Sequence, residues 1–385
     1  MSRTPVGCFQ SALSSVKAPE LGQIAVRGAL ASAKIDASEV EEVYFGNVLQ
    51  AGVGQAPARQ VALGAGMGLN TPCTTVNKVC ASGLKATMMA AQAIALGDRE
   101  IMISGGMESM SNTPHYMYLR KPTGFGASTA IDSIQHDGLW DVYDKEIMGA
   151  CTERLVEEMG ISREDQDAYA ISSYERARKA QADGIFANEI SRVEIKDRKG
   201  NVTVVEEDEE CKRFKPEKFG SLPTAFKRNG GTITAANASK INDGAAALVL
   251  MSEEEARNRG LQPLARIVGY EDAAVDPYRF GVAPALAVNK LVSRLGMTLG
   301  DIEYHEINEA FSAVALANME LMNIDRDRIN IHGGGVSLGH PIGASGSRIV
   351  MALLTALHSR DASIGVASIC NGGGGASALM VERLA

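Results

Sequence analysis

Residues 81–106 read ASGLKATMMAAQAIALGDREIMISGG, and residues 344–369 read ASGSRIVMALLTALHSRDASIGVASI. Both open on Ala-Ser-Gly and place a basic residue two positions later, Lys85 and Arg348. Both then run as an Ala/Leu/Met-rich helix to an aspartate at the same spacing, Asp98 and Asp361. Each ends in a short strand of small and β-branched residues. Upstream, 21–48 and 284–310 repeat the order helix, then strand, more loosely. Two related units of this length predict a duplicated α/β domain. The helical stretches 84–96 and 347–358 are nearly apolar all round, the signature of helices buried on every side. Packing one from each half predicts five alternating layers, α-β-α-β-α, with these two helices in the middle.

The chain has 385 residues, enough for two or three domains, and a net charge of −8. That charge, without a basic tail, disfavours nucleic acid and anionic membranes as partners. No apolar run reaches membrane-span length. The six cysteines form no CxxC pair and lack histidines at zinc spacing, so a metal centre of that kind is not expected. The N-terminus carries no signal-peptide pattern.

Between the halves, about 117–238 has no repeat partner and is richer in charge. Residues 164–190 read as an amphipathic helix closing at Gly184. The run ECKRFKPEKF brings Lys212, Arg213, Lys215 and Lys218 together. Such a run is ordinarily a solvated face; here it is also the local patch that an anionic ligand would need.

Three motifs sit at equivalent ends of the repeat. NKVCASG puts Cys80 directly before Ala81, where a turn becomes a helix, and a helix N-terminus favours a thiolate. A buried small hydrophobe is the plainer reading of a lone cysteine. HGGGVSLGHPIGASG puts His340 in a glycine-rich loop before the second buried helix, and SICNGGGGAS puts Cys370 at a strand end. Neither loop has Walker or dinucleotide spacing, and GAGMGL at 64–69 reads as a turn. EINEAF, 306–311, ends a strand at Asn308. A pseudo-twofold between the halves would bring Cys80, Asn308, His340 and Cys370 into one cleft.

These motifs, with GGMESMS at 105–111, resemble the thiolase family over nearly the whole chain. Within it, GTITAANASKINDGAAALVLM at 231–251 is most similar to the mitochondrial-type acetyl-CoA acetyltransferase branch. The resemblance implies a five-layered thiolase fold with an inserted loop domain: 1–116 plus 239–258, 117–238, and 259–385. It implies Cys80 as nucleophile, His340 as its base, and Cys370 as the acid/base on the second acetyl-CoA. Two oxyanion holes are implied: His340 with a water on Asn308, and the backbone N–H groups of Cys80 and Gly372. Coenzyme A would lie along Met148, Tyr174, Arg213, Phe214, Lys215, Lys218 and Ser239. Potassium would be held by Tyr174 and by carbonyls of Ala235, Ala236, Ala238 and Val336. The substrates implied are acetyl-CoA and acetoacetyl-CoA, the assembly a homotetramer, and the compartment the mitochondrial matrix, with cytoplasm as the alternative.

Two departures stand out. Ile147 occupies the place of the family's usual His, before Met148-Gly149. The chain also opens at MSRTPVG, so the family's first strand, placed by the resemblance in the middle of the first sheet, is expected to be missing. A thiolase for longer or branched 3-ketoacyl-CoA, and a catalytically silent acyl-CoA binder, stay open beside the acetyltransferase reading.

Overall fold

The computed structural model describes residues 1–120 and 124–384; positions 121–123, inside the expected insertion, and residue 385 lie outside them. The first half carries strands β1 (Ser2–Arg3), β2 (Gly7–Cys8), β3 (Glu42–Gly46), β4 (Cys73–Val76), β5 (Ile101–Ser109) and β6 (Asn242–Met251). They form one sheet in the order β1-β6-β5-β3-β4, with β2 also on β6. Its helices are α1 (Ala18–Ala33), α2 (Pro57–Gly64) and α3 (Ser82–Ala95). Between β5 and β6 come α4 (Met148–Met159), α5 (Arg163–Ala182) and three two-stranded ribbons; none of its described strands joins a main sheet. The second half has β7 (Ala265–Ala274), β8 (Tyr304–Ile307), β9 (Ile364–Asn371) and β10 (Gly375–Arg383), ordered β7-β10-β9-β8. Its helices are α6 (Ala283–Leu295), α7 (Ser312–Met322) and α8 (Ile342–Ser359).

The two sheets repeat one topology. In each, the last strand lies antiparallel between the first strand and the penultimate one. In each, the penultimate strand runs parallel to the strand of the upstream repeat, β3–β5 and β8–β9. A parallel bridge from His305 to Ile329 stands where β4 pairs with β3. α1 and α2 cover the outer face of the first sheet, α6 and α7 that of the second, and α3 with α8 fill the middle.

α8 is buried along nearly its whole length, as its composition requires. α3 differs: its first two turns are buried, while Gln92, Ala95 and the following Leu96 are exposed. Glycines let the central layer approach so closely. A Cβ on Gly106 would lie 1.9 Å from the Gly343 carbonyl oxygen, and one on Gly83 would lie 2.9 Å from Ser347 N.

The first strand corrects the sequence reading. It is the two-residue strand Ser2–Arg3, and it lies at the edge of the sheet rather than in the middle, paired with β6 and bridged on its other side to Ile190. Its counterpart β7 spans Ala265–Ala274. A short edge strand leaves few ladder groups unpaired, whereas a central gap would orphan two neighbours. Arg3 also anchors it: the guanidinium is 2% exposed and donates to Glu189 at 2.6 Å and to both Asp208 oxygens at 2.7 and 2.9 Å.

Candidate active site

Cys80 is presented by a tight turn. Val79 adopts φ +49°, a left-handed conformation that a β-branched residue rarely takes. Its N–H is held by Asn77 Oδ1 at 3.0 Å, and its carbonyl accepts from the Ser82 hydroxyl at 2.6 Å. The turn points Cys80 at the mouth of α3. Burial pushes the thiol up to about 12, while the backbone N–H groups of Gly372 and of Cys80 itself, both facing Sγ, pull the other way. These are the two N–H groups expected to form an oxyanion hole.

Gly372 follows β9 by one residue. A Cβ there would sit 3.6 Å from Val79 and 3.8 Å from Met148 Sδ, so the spot faces both. Cys370 is 1% exposed and packs in one apolar cluster with Met148, Phe280 and Phe311. Burial raises its thiol pKa well above the ordinary value, and the nearby Cys80 raises it further. Two neutral thiols therefore face one another across the seam of the two halves.

His340 follows a short helix, Gly335–Leu338, through Gly339, whose φ of +110° only glycine adopts readily. Its backbone N–H donates to Asn242 Oδ1 at 2.9 Å. Its Nδ1 lies 2.6 Å from Ser345 Oγ, and the Ser345 hydroxyl donates to the Pro341 carbonyl at 2.9 Å. A hydroxyl has one proton, so with that proton on Pro341 the oxygen accepts from Nδ1–H. Nε2 is then the free lone pair; it is buried and has no hydrogen-bond partner. Burial, then the charge on Arg348, lowers the imidazole pKa to about 3, so the ring is neutral. Ile342, two residues on, packs with Val79 and Cys80, which seats the His340 loop against the thiol.

Asn308 ends β8 and is fully buried, its N–H donating to the Ser368 carbonyl at 3.0 Å. Its side-chain oxygen and nitrogen both lack a partner. A Cβ on Gly335 would meet that oxygen at 3.4 Å, which puts Asn308 beside the helix leading to His340. Buried amides are almost always bonded, so an unpaired one marks a place for a third party.

The residues expected along coenzyme A form a second group. Tyr174 on α5 stacks on Phe214 at 5.1 Å between ring centres. Phe219 stands edge-on to both. Arg213, Lys215 and Lys218 are exposed and have no ion-pair partner among the described residues, whereas Lys212 is tied to Glu207 at 2.6 Å. Arg178, which the sequence reading missed, lies over the Phe214 ring at 5.7 Å. The Ser239 N–H donates to the Ala310 carbonyl at 3.0 Å, joining this region to the Asn308 loop.

The groups expected to hold potassium have other partners. Lys240 Nζ donates to the Ala238 carbonyl at 2.7 Å and to the Val336 carbonyl at 3.2 Å, and lies 5.4 Å from the Tyr174 ring centre. The Tyr174 hydroxyl donates to Glu210 instead, at 3.4 Å, and Ala235 is exposed. Ala236 stays buried beside Tyr174. A metal ion among these groups would meet an ammonium already on two of its ligands, so the set does not fit potassium.

Other groups that sequence inspection passed over hold the site together. Glu108, buried in β5, accepts from Asn47 Nδ2 at 2.7 Å and from the N–H groups of Val48, Leu49 and Gly343 at 3.0–3.1 Å. Asp272 on β7 accepts from Lys78, from Lys85 at 2.6 Å and from Ser377 at 2.7 Å. Against the upward push of partial burial, these partners hold its pKa down to about 2. GGMESMS was the only available signal for Glu108; nothing marked Asp272, Val79 or Ser345.

Comparison with known proteins places this geometry. The family model for the thiolase N-terminal domain matches residues 1–254, and that for the thiolase C-terminal domain matches 261–383. The chain belongs to the thiolase family. This thiolase is 53% identical over 383 residues to acetyl-CoA acetyltransferase B, mitochondrial, of Xenopus laevis, covering all of this chain and 90% of that one. It is 52% identical to acetyl-CoA acetyltransferase 2 of Arabidopsis thaliana, covering 100% and 96%. Among solved structures, Acat5 thiolase from Ascaris suum in complex with coenzyme A superposes with a TM-score of 0.94 at 45% identity, covering 100% and 98%. The Bacillus anthracis acetyl-CoA acetyltransferase gives a TM-score of 0.96 at 39% identity, covering 100% and 97%.

Proposed function

We propose that this thiolase is an acetyl-CoA C-acetyltransferase, condensing two acetyl-CoA to acetoacetyl-CoA and running the reverse thiolysis. Cys80 Sγ attacks the thioester carbonyl while its proton passes to His340 Nε2, and the Cys370 thiol gives its proton to the departing coenzyme A thiolate, becoming a thiolate itself. The acetyl group stays on Cys80, its carbonyl oxygen in the Cys80 and Gly372 N–H pair. Cys370 then takes the α-proton of a second acetyl-CoA, whose enolate oxygen rests on His340 and a water on Asn308. The enolate carbon attacks the acetyl-cysteine, and Cys80 leaves as a thiolate that regains its proton from His340, while Cys370 keeps the α-proton. The observation that carries this reading is the unpartnered Nε2 of a neutral His340, seated against the Cys80 turn.

Coenzyme A is the natural ligand for the exposed Arg213, Lys215 and Lys218 beside the Tyr174–Phe214 stack: cations for phosphates, aromatic faces for adenine. The division into 1–116 with 239–258, 117–238 and 259–385 goes with this assignment, the middle part serving coenzyme A. The assembly is read as a homotetramer; exposed Met117, Tyr118, Leu119, Val142 and Tyr143 within one stretch of chain support self-association. The Xenopus relative's name carries the mitochondrion, and that compartment is the one inferred. No described helix is long and apolar enough to cross a membrane.

Intact-mass spectrometry after mixing with acetoacetyl-CoA tests the reading. An acetyl adduct on the natural protein, absent from Cys80→Ala, is expected. A folded protein without the adduct would return it to a silent binder. One observation favours a second reading: Ile147, next to Met148, supplies no polar group toward the acyl end, which suits longer or branched 3-ketoacyl-CoA. Rates across a chain-length series separate the two.

A further inference from the structure

We propose that Lys240 is a tethered substitute for a monovalent cation, and that this thiolase needs no potassium. The ammonium sits where an ion would: on the Ala238 and Val336 carbonyl oxygens, at 2.7 and 3.2 Å, and over the face of Tyr174. Carbonyl oxygens and an aromatic face are partners for a cation, and an ammonium has three donors to offer them. Two carboxylates, Glu210 and Glu309, supply negative charge nearby.

The acceptors are fixed before the lysine arrives. The Val336 N–H donates to Glu309 Oε2 at 3.1 Å, and Glu309 also accepts from Tyr169 at 2.9 Å and Ser173 at 2.8 Å. Ala238 bridges Phe311. Lys240 therefore joins three pieces: its own segment before β6, the short helix that leads to His340, and α5 with its Tyr174–Phe214 stack. Lys240 is a positioning residue. It holds the coenzyme A side of the site in register with the His340 loop, and a lysine cannot dissociate as an ion does. Its donors face inward to carbonyls, so it is not one of the exposed phosphate-binding cations.

The test is thermal unfolding at pH 7 in equal concentrations of potassium, sodium and choline chloride. The natural protein is expected to melt within about 1 °C in all three. Lys240→Thr, which opens the site, is expected to melt lower in choline and sodium and to regain roughly 2 °C or more in potassium. Lys240→Met, which keeps the stem without donors, is expected to be destabilised in every salt. A natural protein stabilised by potassium over sodium overturns the proposal, as does a Lys240→Met protein as stable as the natural one. If neither variant folds, the natural protein's cation series still decides. The kinetic arm rests on the acetyltransfer reading: KM for acetoacetyl-CoA should vary less than about twofold across the salts for the natural protein. The melting arm stands without that reading, so the two can fail separately.

Discussion

Glu108 Oε2 accepts the backbone N–H of Gly343 at 3.0 Å, across 235 residues of chain. One carboxylate thereby ties the end of β5 to the start of α8, and with Val48 and Leu49 it ties both to the loop after β3. Glu108→Gln keeps the shape but turns one acceptor into a donor aimed at N–H groups. Each orphaned buried donor costs about 1–3 kcal/mol, so a loss of roughly 2–4 kcal/mol is expected. Urea unfolding of the two proteins measures it; an unchanged midpoint would show that the carboxylate is not holding the seam.

Asn308 should behave in the opposite way. Its side chain makes no hydrogen bond to protein, so Asn308→Ala removes none. Melting within about 2–4 °C of the natural protein is expected, together with a kcat loss of about 10²–10³-fold. An inactive but unstable variant, or a stable and fully active one, contradicts the assigned role.

The pH behaviour follows from two neutral groups. His340, lowered to about 3 by burial and by Arg348, does not gain a proton between pH 8 and 5. The acid limb of kcat/KM should then show no inflection near the ordinary histidine value of about 6.5. Cys80, raised to about 12, holds its proton through neutrality, so free-enzyme alkylation should climb about tenfold per pH unit from 7 to 9. A plateau in alkylation below pH 8 would mean a thiolate already present. Ser345→Ala frees Nδ1 to lose its proton to Nε2; kcat should fall about tenfold or more with KM little changed.

Ile147 precedes α4 and pairs with Trp140 across a two-residue ribbon, one residue before Met148. It is half-buried and offers no donor or acceptor from its side chain. Ile147→His should raise kcat/KM for acetoacetyl-CoA by about 10-fold, the range of one added transition-state hydrogen bond. Equal or lower turnover would show that the natural Ile suits this substrate.

The elements that sequence inspection recovered have a common character. The paired helices, the strand after each, and the cysteines and histidine at glycine-rich ends all follow from residues adjacent in the chain. Lys240, one residue past Ser239, was not singled out, because its meaning depends on a carbonyl 96 positions away. The first strand was misplaced for the same reason: a run of residues does not state which neighbour it pairs with.

Sequence alone determined the duplicated α/β architecture and singled out Cys80, Asn308, His340 and Cys370 as the candidates for its chemistry. Periodicity and glycine-rich loops are local properties, repeated here in both halves. Only the tertiary structure decided that β1 is an edge strand, that Val79 carries the strained turn, that Ser345 bonds His340 Nδ1, and that Lys240 reaches the Ala238 and Val336 carbonyls. Each of these depends on backbone angles or on groups brought together by folding, and a hydrogen bond a few tenths of an ångström longer or shorter changes the assignment.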